Sequence, residues 1–225
     1  MDREKLFEEF INECEKEPLT LCGQGNPNAD ILIIGKESTD ISEKSLVQNI
    51  ERCRNKMERD APRPINPKNK TWANYQYLLD EIYQRKSDYD DKWDFEKYAF
   101  TTELSSTPRK NSKYSEAKSS IQDRLRFFEK SKFIQDFPVI VLACGGYIRN
   151  NDKVREIDDT FHVTFSKRYD YSTGNWFCTH YDDTNPKRLV IHTRQLSNGV
   201  SYEMIDKMAS VIRDHLDHLK KLGLI

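Results

Sequence analysis

The chain has 225 residues, with 36 Lys and Arg against 37 Asp and Glu, and its net charge of −1 argues against a general, histone-like nucleic-acid binder. Its hydrophobic share of 36% lies below the roughly 45–50% of an average domain, while 11% aromatic residues supply enough large packing units to exclude disorder. Five cysteines at irregular spacing without a CxxC pair, and an opening MDREKLFEEF without an apolar core, point to reduced thiols in a soluble, cytoplasmic protein with no membrane span.

Leu6, Phe7, Phe10, Ile11 and Cys14 recur at helical spacing, which predicts an amphipathic lid or edge helix over about residues 2–16, ended by Pro18. A glycine- and asparagine-rich turn, Cys22 to Asn28, leads into a short apolar strand over 30–34 that ends at Gly35, with Lys36, Glu37, Ser38 and Thr39 following. Residues 41–58 carry Leu46, Val47, Ile50, Cys53 and Met57 on one helical stripe. The loop from there to Lys70 sets Arg59, Arg63 and Lys68 among prolines, either as a solvated linker or as a phosphate-facing loop.

A third helix is expected over 71–85 with Thr71 as N-cap, then a strand over 97–102 ending in Thr101 and Thr102. The polar, basic run SSTPRKNSKYSEAK follows, before a helix marked by Ile121, Leu125 and Phe128. PVIVLAC, 138–144, reads as a strand covered on both faces and turned sharply by Gly145 and Gly146. The alternating stretch 160–181, centred on Ser172 to Gly174, predicts a β-hairpin, either an insertion or an edge ribbon. RLVIH, 188–192, is the last buried strand, and the stripe from Met204 to Leu219 gives a closing helix capped by Gly223.

Four short apolar strands alternating with helices predict one α/β domain, a three-layer α/β/α sandwich around a mostly parallel four-stranded sheet. In such a sheet ligands bind beyond the carboxyl ends of the strands, where Gly35 to Thr39, Thr101 to Arg109 and His192 to Ser197 converge. Glu37 is the first catalytic candidate, although it could equally cap the following helix or pair with Lys36. His192 has the alternative of a satisfied core histidine, and His215 and His218 lack a third ligand, so no metal is assigned. Cys144, on a strand-to-glycine turn, leaves open a cysteine hydrolase with His180 or His192 as base.

Those three strand ends resemble the uracil-DNA glycosylase superfamily over roughly residues 20 to 220. GQGNPNADILIIG is similar to the family's entry to its first strand, LVIHTRQLS to its last motif, and YAFTTELSSTPRK to the strand between them. The resemblance implies a protein that flips a damaged or modified base out of DNA and hydrolyses its N-glycosidic bond, as a monomer and without a cofactor. It implies Glu37 on the water and sugar cation, His192 on the departing base, and Leu196 as the wedge that fills the vacated stack.

It further implies substrate contacts from Gly35, Lys36, Ser38, Thr39, Thr102, Arg194 and Ser197, and phosphate contacts from Asn26, Arg109 and Lys110. The chain departs from the family at Ser38 and at Thr193 to Gln195, where prolines are usual. Thr102 stands where uracil readers carry asparagine, which points away from plain uracil. Glu17 stands at the spacing where some members carry a cluster-ligating cysteine after Cys14, so no iron–sulfur cluster is expected. The rival implied by these departures is a non-catalytic nucleic-acid or nucleotide-binding module of the same fold.

Overall fold

The computed structural model describes residues 2–16, 21–36, 43–85, 92–105, 114–182 and 187–225. Its centre is a seven-stranded sheet. In chain order the strands are β1 (Gln24–Gly25), β2 (Ile31–Gly35), β3 (Phe100–Glu103), β4 (Val139–Ala143), β5 (Thr164–Asp170), β6 (Trp176–Tyr181) and β7 (Leu189–Thr193). Across the sheet they run β1-β3-β2-β4-β7-β6-β5. The four strands expected from the sequence form its parallel middle, with β2 between β3 and β4, and β7 beside β4. The expected count of four is corrected by three antiparallel strands at the edges.

The correction has a local physical cause at each edge. Gln24–Gly25 is too short to show periodicity, yet it pairs with Thr101 and Phe100 and covers the open side of β3. The 160–181 hairpin is an edge ribbon: β6 pairs along the whole of β7, and β5 closes the far side with exposed, charged residues such as Lys167 and Arg168.

The helices are α1 (Arg3–Lys16), α2 (Glu43–Arg54), α3 (Lys70–Tyr83), α4 (Tyr114–Lys130), α5 (Lys132–Gln135), α6 (Glu156–Phe161) and α7 (Tyr202–Lys221). Strand alternation sorts the core in two. Leu32, Ile34, Phe100, Ile140 and Leu142 face α1, α4, α5 and α6, while Ile31, Ile33, Val139, Val141 and Ile191 face α3 and α7. The mixed α/β sheet therefore carries helices on both faces.

α1 buries the stripe read from its sequence, with Phe7 and Phe10 against Phe133 at ring distances of 5.0 Å. It is a core helix and not a lid. α2 ends at Arg54, so Met57 lies beyond it, 87% exposed. α3 is capped by the Asn69 side chain, which accepts from the Trp72 N–H, so the Thr71 cap is corrected by two residues. Ser201 caps α7 in the same way.

The loop between α2 and α3 is not a solvated linker at its arginines. Arg59 is buried against the Phe7 ring and bound to Glu4 at 2.8 Å, and Arg63 lies 2.8 Å from the buried Glu96 carboxylate. Arg52 shares that carboxylate at 3.2 Å, giving the buried charge two guanidinium partners. Among the described residues, no helix is long and apolar enough to cross a membrane.

Candidate functional site at the carboxyl edge of the sheet

A cavity of about 320 Å³ opens where β2 and β3 end. Its floor is Gly35, Lys36, Thr101, Thr102 and Glu103, one wall is Asn69, Thr71, Trp72 and Tyr75 from the start of α3, and Gln195 reaches in from the loop after β7. The volume sits at the low end of the roughly 300–1,000 Å³ usual for small-molecule sites. Aromatic faces, amides, one carboxylate and one ammonium meet there. A larger cavity of about 550 Å³, lined by Asn150, Asp158, Phe165 and neighbours, lies elsewhere and contains no carboxyl end of a parallel strand. The position after β2 and β3, not the size, singles out the smaller one.

Glu103 and Thr102 divide their work by strand alternation. Thr102 turns toward α4, where its hydroxyl donates to the Cys22 carbonyl at 2.9 Å and accepts from Arg124 Nη2 at 2.9 Å. Arg124, itself buried, also holds the carbonyls of Leu21 and Glu103 at 2.6 and 3.1 Å. The Thr102 hydroxyl is thus part of a buried strut at the floor of the cavity. Glu103 turns the other way, opposite Gly35 in the β2–β3 register. A Cβ added at Gly35 would stand 2.5 Å from a Glu103 carboxylate oxygen, so glycine there is what lets the carboxylate lie against β2. Burial pushes the Tyr75 phenol well up, and the nearby Glu103 charge adds to it.

Lys36 lines the same cavity and sets its ammonium 4.8 Å from the centre of the Tyr147 ring. Trp72 presents its ring with the Arg63 guanidinium 4.8 Å from its centroid. Gln24 accepts from Arg63 at 2.5 Å, and Asn49 is occupied by the backbone of Cys22 and Gly23.

His192 lies on β7, separated from β2 by β4, and is not among the residues that line the cavity. It is 8% exposed, its Nε2 is 2.9 Å from the Gly145 carbonyl, and Trp176 meets it edge-on at 4.9 Å. Burial lowers its pKa to about 4 despite that hydrogen bond, so near neutral pH the ring is uncharged and Nε2 donates to Gly145. Gly145 adopts φ +54°, and a Cβ added there would meet Arg194, Gln195 and Lys36 at ordinary contact distance, 3.8 to 3.9 Å. His192 accordingly fastens the turn that borders the site, in place of its expected contact with a departing base.

Leu196 is fully buried in the core against α3 and α7, which corrects the expectation of a protruding wedge. Arg194 closes its own loop by donating to the carbonyls of Gly199 and Asn198, at 3.2 and 3.0 Å. Ser197 gives its carbonyl to Asn74 at 2.9 Å. Asn26 is level with Ala99 at the amino end of β3, away from the carboxyl edge, and donates to the Lys97 carbonyl at 3.0 Å. Glu37, Ser38, Thr39, Arg109 and Lys110 lie outside the described residues.

The cysteine alternative loses its chemistry, because Cys144 is wholly buried and burial pushes its thiol far up. His180, one proposed base, is 2.8 Å from Asp158 on Nδ1, and its buried Nε2 has no hydrogen-bond partner among the described residues. His215 is bound to the Lys187 carbonyl at 3.1 Å. Among the described residues, no three His, Cys, Asp or Glu side chains gather as a metal-holding group.

Gln195 and Tyr75 line the cavity without a local sequence signal that announces them, and Glu103 joins them there. The signal for Glu103 was its pairing opposite a strand-end glycine, which only the sheet register reveals. Compared with models of known protein families and with curated proteins, the chain matches none.

Proposed function

We propose that the chain is a DNA glycosylase-like hydrolase that draws a modified base out of DNA into the cavity beside Glu103 and cleaves its N-glycosidic bond. The observation that carries this reading is the composition of that cavity at the carboxyl edge: an acceptor, donors and aromatic faces, which are what an extruded base needs for edge reading and stacking. Glu37, one residue past Lys36, is the candidate for orienting water and stabilising the sugar cation. His192 is a positioning residue in this account, acting through the turn at Gly145.

The test is incubation with end-labelled oligonucleotides carrying deaminated, oxidised or alkylated bases, followed by alkali to cut at abasic sites. Cleavage at a modified base by the natural protein, lost in Glu37→Gln, is the expected result. Retained binding to the same oligonucleotides with no abasic product, even with protein in excess, would replace this reading with that of a base-binding module. The burial of Leu196 and the engaged Nε2 of His192 are the observations that favour the second reading.

A further inference from the structure

We infer that Tyr75 and Gln24 read the base in this cavity by donating hydrogen bonds to carbonyl oxygens on its edge, an inference that rests on the glycosylase reading above. Tyr75 supplies the first donor. Thr71 and Trp72 stand four and three residues before it on α3, which puts all three on one face, and together they line a wall of the cavity. Tyr75 is 6% exposed, meets Phe95 edge-on at 6.0 Å, and has no hydrogen-bond partner for its hydroxyl among the described residues. Unlike the Nε2 of His180, that oxygen is not sealed from solvent, so it lies on the cavity surface. A tyrosine hydroxyl at such depth ordinarily has a partner, and here a ligand is left to provide it. Burial pushes the phenol's pKa well up, which keeps the proton in place to be donated.

Gln24 supplies the second donor, from β1. A guanidinium carries only N–H groups, so the 2.5 Å contact with Arg63 Nη2 is made by the oxygen of the Gln24 amide. Its Nε2, turned from Arg63, has no partner among the described residues, and Gln24 lines the cavity. Arg63 is itself fixed, 2.8 Å from the buried Glu96 carboxylate and 4.8 Å from the centre of the Trp72 ring. Both donors are therefore held in place before a ligand arrives, which lowers the ordering cost of binding. The Lys36 ammonium adds further donors, with the Tyr147 ring 4.8 Å away and no hydrogen bond or ion pair among the described residues. A ring edge with carbonyl oxygens satisfies these groups. An exocyclic amine in the same place sets its N–H against Gln24 and Lys36, which have no free acceptor to offer.

Uridine with cytidine, and inosine with adenosine, are pairs in which one carbonyl is exchanged for an amine. They test the inference in titrations of the natural protein followed by tryptophan fluorescence, since Trp72 lines the cavity. The carbonyl member of a pair should act at about tenfold lower concentration than the amine. Tyr75→Phe removes only the hydroxyl, and Gln24→Glu keeps an oxygen on Arg63 while removing the donor; each should shrink that ratio severalfold. Tyr75→Phe should leave the amine member where it was, whereas a purely structural role would weaken both members alike and overturn the inference. Equal action of the two members in both pairs, a ratio that survives both substitutions, or no action by any of the four nucleosides would overturn it as well. None of these results touches the glycosylase reading, which fails instead if oligonucleotides carrying modified bases give no abasic product.

Discussion

At the scale of single residues, alternation along β3 decides the chemistry. Thr102 and Glu103 are neighbours in sequence and both border the cavity, but the Thr102 hydroxyl is held by Arg124 and the Cys22 carbonyl while Glu103 lies against Gly35. His192 shows the same effect of context in its protonation. Its folded-state pKa of about 4 lies below the ordinary 6.5, with burial the largest cause. Above pH 6.5 it is neutral in both states and contributes nothing to pH dependence. As pH falls below 6.5 the unfolded chain takes up a proton that the folded one refuses, so stability drops until about pH 4. The share of His192 is about 2 kcal/mol by pH 5. His180 and His215 are lowered by burial as well and act with the same sign. Urea unfolding between pH 7 and 5 checks this: His192→Gln, which keeps a donor for Gly145 and removes the titration, should flatten the decline. An unchanged slope would show that His192 is not held neutral.

At the scale of elements, the ribbon of β5 and β6 and the loop after β7 form one unit. Thr193 donates to the Trp176 carbonyl at 2.7 Å, Asn175 donates to the Gly199 carbonyl at 3.3 Å, and the Ser201 N–H donates to the Asn175 side chain at 3.0 Å. Asn175 is buried, so Asn175→Ala leaves the Ser201 N–H and the Gly199 carbonyl without this partner and should cost about 1–3 kcal/mol. Hydrogen exchange should speed up at residues 171–176 and 197–201 together; exchange faster in only one of the two segments would show that they are not coupled. The hairpin itself was legible from alternation over 160–181, because edge strands keep one face wet. Its pairing along β7 was not, because register depends on the partner strand. The arginines of the 55–69 loop were misread for a related reason: Arg59 and Arg63 find Glu4 and Glu96 far away in sequence, and no local pattern announces such pairs.

At the scale of the molecule, the parallel middle of the sheet was readable because 31–34, 139–143 and 189–191 are continuous apolar runs buried on both faces. The carboxyl edge followed from that, and with it the place of the cavity. What the sequence could not supply was the assignment of side chains around it: Leu196 to the core, His192 to the Gly145 turn, and the Thr102 hydroxyl to Arg124 and the Cys22 carbonyl. Each of these depends on which face of a strand or loop a residue takes, a one-residue matter that strand alternation reverses. The two cores on either side of the sheet hold the cavity walls from different elements, with β2 and β3 beneath and α3 beside. The most direct measurement on the central claim is mass spectrometry of free bases released from DNA that carries a mixture of deaminated, oxidised and alkylated bases. The account predicts that at least one modified base appears in solution with the natural protein and is absent with Glu37→Gln. No base released by the natural protein, even when it is in excess over DNA, would contradict it.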